Sequence, residues 1–206
     1  MRCSLRHEKA LRATGCKVIA GIDEAGRGPL AGPVVAAIVI LPEKFRHGTL
    51  RDSKQLSHKQ REEIFSELTS RAGVAWAAEV VSVEEIDRIN ILRATHEAMR
   101  RALRKLIAQP EHVLIDGLRV PHFPLPHTAL VDGDCLSYSI AAASVVAKVT
   151  RDRIMVEMDA LHPGYAFSQH KGYGTQLHLE RLKTHGPSPI HRRTFRPVAQ
   201  TLLDFA

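Results

Sequence analysis

Five short runs rich in Val, Ile and Leu are distributed along the chain and predict β-strands. They cover residues 18–22, 33–41, 74–81, 112–115 and 128–131. Each run is bounded by Gly, Pro or charged residues, as strands are where the chain turns. Five strands are enough for one sheet of ordinary size.

Apolar residues recur at helical spacing between and after these runs. Helices are predicted after Ser57, after Ser82, over 137–161, over 175–185 and after Pro197. Gln60 and Glu85 stand three residues after the two serines, the spacing of a capping box. Gly73 should end the first helix. Asn90 is a candidate break in the second, whose apolar positions continue to residue 107.

The order of these elements predicts the fold class. Two strands, a helix, a strand, a helix and two further strands, followed by helices, are typical of a mixed α/β domain with helices on the faces of one sheet. With 206 residues and no repeat or linker, residues 1–206 are expected to form a single domain.

Composition indicates the class of protein and the charge of its partner. Hydrophobic residues make up 44% and charged residues 25% of the chain, as in a soluble globular protein. The formal net charge of +7 favours a polyanionic partner. Three widely spaced cysteines indicate neither a disulfide framework nor a zinc site, and the longest apolar run is too short to span a membrane. A cytoplasmic protein without a membrane partner is therefore expected.

Acidic residues follow two of the predicted strands and precede the longest predicted helix. Asp23 and Glu24 end the first run, Asp116 ends the fourth, and Asp134 comes just before the helix at 137. Carboxylates at neighbouring strand ends and at a helix start can converge on one point. Such oxygens suit Mg²⁺ or Mn²⁺, and two of these ions can activate a water and stabilise a leaving oxygen in phosphoryl transfer.

An alternative interpretation makes these aspartates turn and cap residues, because Asp is common before Gly and before helices. Asp132 is also a rival to Asp134 within the same turn. Glu24 has no turn preference and is harder to explain in this way. The glycines of Gly26-Arg27-Gly28, next to the acidic pair, would let a nucleic-acid backbone approach closely.

Six ordered blocks resemble the type 2 ribonucleases H, specifically the bacterial ribonuclease HII family. They are GIDEAGRGPLAGPV at 21–34, DSKQL at 52–56, IDG at 115–117, GD at 133–134 leading into SIAAASVVAKVTRD at 139–152, HKGYGT at 170–175, and GPSPIHRRTF at 186–195. The resemblance spans about residues 18–198. Ala166 departs from it, since family members usually carry glycine there. The absence of a preceding substrate-binding domain and the arginine of the first loop argue against the related ribonuclease HIII.

The resemblance implies a ribonuclease H-like fold and a metal-dependent endoribonuclease. Its substrates would be RNA–DNA hybrids and DNA duplexes with embedded ribonucleotides, cut to leave 3′-hydroxyl and 5′-phosphate ends. The four acidic residues would bind Mn²⁺ or Mg²⁺, two ions when substrate is bound. The glycine–arginine–glycine loop would recognise the ribose 2′-hydroxyl through backbone groups, and Tyr173, with Tyr165 as its competitor, would stack on the following sugar.

Cationic side chains near these motifs are candidate phosphate contacts. They are Lys54, Lys148, Lys171, Arg192 and Arg193. Two other functions remain open: a non-catalytic nucleic-acid-binding protein, against which the acidic residues speak, and a structure-specific DNA nuclease on the same kind of fold. Nothing in the sequence indicates an obligate oligomer, so a monomer is expected.

Overall fold

The computed structural model describes residues 3–50, 53 and 56–204, and contains one five-stranded mixed sheet. The strands are β1 (Ile19–Ala25), β2 (Val34–Ile40), β3 (Ala75–Val81), β4 (His112–Asp116) and β5 (His127–Leu130). Their order across the sheet is β3-β2-β1-β4-β5. The β1–β2 and β2–β3 pairs are antiparallel, whereas β4 runs parallel to both β1 and β5. The predicted five-stranded mixed sheet is therefore confirmed.

Eight helices accompany the sheet in the described part of the chain. They are α1 (Arg6–Ala13), α2 (His58–Ser70), α3 (Val83–Ile89), α4 (Ile91–Lys105), α5 (Tyr138–Leu161), α6 (Phe167–His170), α7 (Gln176–His185) and α8 (Arg196–Asp204). A short 3₁₀ turn, Gly133–Cys135, precedes α5. None of the described helices combines the length and apolar character that a membrane span requires.

Helices α5 and α4 cover opposite faces of the sheet. Small residues of α5 pack against one face and small residues of α4 against the other. The contact with α5 is so close that a Cβ at Gly21 would lie 2.1 Å from the carbonyl carbon of Ser139. Because glycine at this position lets the backbones of β1 and α5 approach, the start of α5 is held directly over β1.

The predicted helix boundaries follow from their caps. Ser57 accepts a hydrogen bond from the N–H of Gln60, whose side chain bonds back to the N–H of Ser57. Asn90 adopts a φ of 68° and separates α3 from α4, as predicted. Ile107 is an error of the sequence interpretation, because α4 ends at Lys105 and Ile107 is 98% exposed.

Two helices were not predicted. Helix α1 has no long apolar stripe, and a polar contact ties it to the core: its buried Glu8 accepts hydrogen bonds from the side chain of Ser137 and from the backbone and side chain of Ser139. Helix α6 follows Ala166, whose φ is 62°. Glycine adopts this left-handed backbone without the Cβ penalty that alanine meets, so the departure at 166 keeps the loop geometry at some cost in strain.

Candidate active site

The register of β1 and β4 puts two carboxylates side by side. Ile22 pairs with Ile115 across the parallel strands, and the next residues along the two strands are Asp23 and Asp116. Strand β1 continues to Ala25 because β2 pairs with it from Ala20 to Ala25, so Asp23 lies inside the strand, not after it as the sequence indicated. Asp23 is nonetheless at the edge where β4 ends, which is what convergence requires.

Asp134 reaches the same point from the 3₁₀ turn before α5. Carboxylate oxygens of Asp23, Asp116 and Asp134 lie within 4.8 Å of one another. The turn is fastened to β4, because the carboxylate of Asp116 accepts hydrogen bonds from the N–H of Gly133 at 2.7 Å and of Asp134 at 3.4 Å. Its rival Asp132 is exposed. Three of the four predicted carboxylates therefore converge, and the choice of Asp134 over Asp132 agrees with the geometry.

Glu24 lies beside this cluster. It lines the same cavity as Asp23 and Asp116, but its Oε1 lies 3.1 Å from Nη1 of Arg27, which makes an ion pair. Adjacent side chains of a strand point to opposite faces, which explains why Glu24 does not join the tightest group. Its predicted role as a metal ligand stays a prediction.

Electrostatic strain is concentrated on Asp23. Burial, followed by the negative charges of Glu24 and Asp116, raises the pKa of Asp23 well above its ordinary value, while a hydrogen bond from the N–H of Glu24 opposes the shift. Like charges at this distance favour either a bound proton or a bound cation. The donor set, carboxylate oxygens alone, fits a hard divalent cation such as Mg²⁺ or Mn²⁺.

The cavity over Asp23, Glu24 and Asp116 has a volume of about 220 Å³ and reaches the glycine–arginine–glycine loop and Tyr173. Its lining also includes Ser53 and Ser144, whose hydroxyl oxygens are 2.7 Å apart. Neither serine was predicted as a site residue. Both stand inside motif blocks quoted for the resemblance, and that position was the signal that could have identified them.

The loop after β1 has an open surface and a crowded underside. Gly26 has a φ of 98°, and a Cβ there would lie 2.1 Å from Nε of Arg151. A Cβ at Gly28, in contrast, would meet no atom within 4 Å. The side chain of Arg27 is 52% exposed. Glycine is thus required at 26 by backbone conformation and packing, while at 28 it leaves space above the loop.

Arg192 holds the underside of this loop. Its guanidinium is fully buried, and its five N–H groups donate to carbonyl oxygens at 2.5–3.2 Å. The acceptors are the carbonyls of Gly26, Arg27, Pro29, Gly32 and Pro33. The phosphate contact predicted for Arg192 is therefore wrong, because every donor is already used inside the protein.

The other predicted cations differ in their positions. Lys54 lies outside the described residues. Lys148 lines the cavity, with Nζ 2.7 Å from Asp152 and 5.6 Å from the ring centre of Tyr173. Nζ of Lys171 donates to the carbonyl of Ser168. Arg193 is exposed beside the buried Arg192. Of the described candidates, Lys148 alone lines the cavity.

The two tyrosines that competed for one role occupy different environments. Tyr173 is 43% exposed and lines the cavity. Tyr165 is 8% exposed, stacks on Phe167 with ring centres 5.2 Å apart, and donates its hydroxyl to the carbonyl of Gly186 at 2.7 Å. Tyr165 is therefore a core residue, and Tyr173 is the aromatic side chain available to a ligand.

Comparison with known proteins agrees with this site. Residues 20–198 match the model of the family described as ribonuclease HII. The chain is 52% identical to a ribonuclease HII of Desulfitobacterium hafniense over 96% of this chain and 76% of that protein. It is also 52% identical to a ribonuclease HII of Acholeplasma laidlawii over 97% of each chain. The crystal structure of the ribonuclease H2 from Pyrococcus horikoshii superposes with a TM-score of 0.75 at 29% identity, covering 92% of this chain and 99% of that one.

A ribonuclease H-like sheet with carboxylates that converge from its central strands β1 and β4 and from the turn before α5 defines a metal-dependent nuclease. Within that class, the family match over 179 of the 206 residues, from 20 to 198, and the identity of about half to the curated relatives decide the family. The chain belongs to the ribonuclease HII family, and it is an endonuclease that hydrolyses RNA in RNA–DNA hybrids.

Proposed function

We propose that this chain cuts a DNA duplex on the 5′ side of an embedded ribonucleotide, in addition to RNA–DNA hybrids, and leaves 3′-hydroxyl and 5′-phosphate ends. The observation that carries the proposal is that Asp23 and Asp116 of the three-carboxylate cluster line one cavity with the glycine–arginine–glycine loop. The cluster supports phosphodiester hydrolysis, and the loop supports the choice of the ribonucleotide. A monomeric, cytoplasmic enzyme remains the expectation for its state and location.

Asp23, Asp116 and Asp134, with Glu24, would hold two Mn²⁺ or Mg²⁺ ions with the substrate bound. Such ions supply an activated water and stabilise the leaving oxygen, so no side chain is needed as a general base. Burial, followed by repulsion from Glu24 and Asp116, raises the pKa of Asp23, and a bound cation would offset both effects, which supports this assignment. The carboxylates would thus position the ions against the scissile phosphate.

The loop would test for the 2′-hydroxyl with backbone groups. In a trans peptide the C=O of one residue and the N–H of the next point in opposite directions. Because Arg192 binds the carbonyls of Gly26 and Arg27 from below, the N–H groups of Arg27 and Gly28 face away from the core. Backbone donors in this orientation, with no Cβ on Gly28, suit close approach to a ribose hydroxyl.

One assay separates this proposal from the two competing functions. End-labelled DNA duplexes carrying one ribonucleotide, no ribonucleotide, or an RNA strand would be incubated with EDTA, Mg²⁺ or Mn²⁺. We expect cleavage at the ribonucleotide and in the hybrid, only with metal, and none of the all-DNA duplex. Binding without product would indicate a non-catalytic protein, and equal cutting of all-DNA duplex would indicate a DNA nuclease; either result would overturn the proposal.

Replacing Tyr173 by alanine should weaken recognition of the sugar next to the ribonucleotide. Stacking on an aromatic side chain is worth about 1–3 kcal/mol, so kcat/KM on the duplex with one ribonucleotide should fall about 5- to 150-fold. Tyr173→Phe keeps the ring and should remain within about 2-fold of wild type. Tyr165→Phe is the control, expected to change thermal stability and not KM. An alanine variant as active as the phenylalanine variant would contradict the stacking role.

A further inference from the structure

Three histidines are buried behind Tyr173, away from the carboxylates. His170 ends α6, and His178 lies in the first turn of α7. His191 follows α7, in the block GPSPIHRRTF at 186–195. The rings of His170 and His178 stack with centres 4.3 Å apart, and that of His191 is 5.1 Å from His178. The nuclease mechanism uses none of them.

Hydrogen-bond partners determine which ring nitrogens carry protons. Nδ1 of His191 accepts from the N–H of Ser188 at 2.9 Å, so the proton of a neutral His191 is on Nε2. This Nε2–H lies 3.0 Å from Nε2 of His178, which must then accept. The proton of His178 is therefore on Nδ1, 2.9 Å from the carbonyl oxygen of Tyr173. The bonds run in one direction, from Ser188 through both rings to Tyr173.

Both rings must be neutral for this chain to exist. A second proton on His178 would put two N–H groups face to face at 3.0 Å. Burial lowers the pKa of His178 to about 4, and burial together with His178, His162 and His170 lowers the pKa of His191 to about 3. At neutral pH the arrangement of donors and acceptors is therefore stable.

His170 fixes the backbone on the N-terminal side of Tyr173. Nδ1 of His170 accepts from the N–H of Gly172 at 3.1 Å, and its Nε2 donates to the carbonyl of Tyr165 at 2.9 Å. Gly172 is pressed against the loop after β1, because its carbonyl accepts from Leu30 and a Cβ there would lie 2.4 Å from the carbonyl oxygen of Ala31. The backbone around Tyr173 is thus bonded from both sides.

We propose that His178, whose tautomer is set by His191, is a positioning residue for substrate recognition, which holds the backbone at Tyr173 so that its exposed ring meets the sugar beside the ribonucleotide. The proposal rests on the proposed function of Tyr173. Neither histidine touches the substrate, and neither transfers a proton in the reaction. Their effect should therefore appear in KM, not in the rate of the metal-dependent step.

Three replacements of His178 separate its Nδ1 donor from its bulk. The amide nitrogen of His178→Asn can take the place of Nδ1 and donate to Tyr173, whereas in His178→Gln the amide lies one bond further out, near Nε2, and His178→Leu has no donor. On a duplex with one ribonucleotide we expect Gln and Leu to raise KM about 5- to 10-fold with kcat within 2-fold. Asn should stay within about 2-fold in both. His185→Leu, an exposed histidine of the same helix, should match wild type.

A double-variant comparison tests whether His178 affects KM through Tyr173. In a Tyr173→Ala background, His178→Gln should raise KM no further, because the ring it positions is gone. A purely structural role would lower activity equally in both backgrounds and would overturn the inference, as would equal KM values for Asn and Gln. If His178→Leu does not fold, the Asn and Gln pair still decides. If wild type itself does not cut at the ribonucleotide, the proposed function fails and not the positioning alone.

Discussion

Asp23→Asn is expected to lower cleavage by about a thousandfold and to raise the melting temperature of the metal-free protein. In the proposed metal site, loss of the Asp23 oxygen would remove several kcal/mol of metal-dependent stabilisation, and each 1.4 kcal/mol is a factor of ten in rate. Stability should change in the opposite direction, because asparagine removes the charge that burial, Glu24 and Asp116 oppose. Its side-chain oxygen can still accept from the N–H of Glu24.

The pH dependence of unfolding tests whether the negative charge of Asp23 destabilises the metal-free protein. The pKa of Asp23 is raised in the folded protein above its ordinary value of 3.8, so the folded state holds this proton more tightly than the unfolded chain. Stability of the metal-free protein should fall as pH rises from 3.8 through the raised pKa. The asparagine variant should lack this part of the decline. Melting curves in EDTA over a pH series would measure it.

Asp132→Asn is the matched control for Asp23→Asn. Asp132 is exposed and has a φ of 54°, a conformation that asparagine tolerates. It makes the same change of charge a short distance from the cluster, and it should alter neither cleavage nor melting temperature appreciably. If Asp23→Asn cleaved at a rate near that of Asp132→Asn, in Mg²⁺ or Mn²⁺, the proposed role of Asp23 as a metal ligand would be wrong.

The sequence predicted those parts of the fold that local chemistry decides. Alternation of strand runs with helical periodicity predicted all five strands, and the serines at 57 and 82 predicted two helix starts, because the caps are made within four residues. The carboxylates were found for a related reason. Asp116 and Asp134 stand at element ends, and such positions meet at one edge once the strands pair in parallel.

What sequence patterns missed depends on contacts between distant segments. Glu8 looks like a surface residue of a short polar helix until Ser137 and Ser139 are brought to it across more than 120 positions. The end of β1 was placed too early because only pairing with β2 extends it beyond Asp23. Arg192 has the charge expected of a phosphate contact. It is buried because folding brings the carbonyl groups of Gly26 and Arg27, more than 160 positions away, around its guanidinium, and no local sequence pattern indicates this.

Arg192→Lys is expected to destabilise the protein by about 3 kcal/mol and to reduce cleavage strongly. An ammonium has three donors and cannot reach five carbonyls arranged around a planar guanidinium, and each buried acceptor left unpaired costs about 1–3 kcal/mol. Once the carbonyls of Gly26 and Arg27 are released, the N–H groups of Arg27 and Gly28 lose their orientation toward the cavity. Urea unfolding and single-turnover cleavage would measure the two effects.

Arg193→Lys is the matched control for Arg192→Lys, because it makes the same chemical change at an exposed neighbouring residue. It should leave stability unchanged and cleavage within about 2-fold. A phosphate contact at Arg192, the interpretation that its charge favoured, predicts the reverse pattern: unchanged unfolding and only a modest loss of binding, because lysine keeps the positive charge. A large fall in stability for Arg192→Lys, with none for Arg193→Lys, would instead assign Arg192 to the loop, whose shape it maintains without touching the nucleic acid.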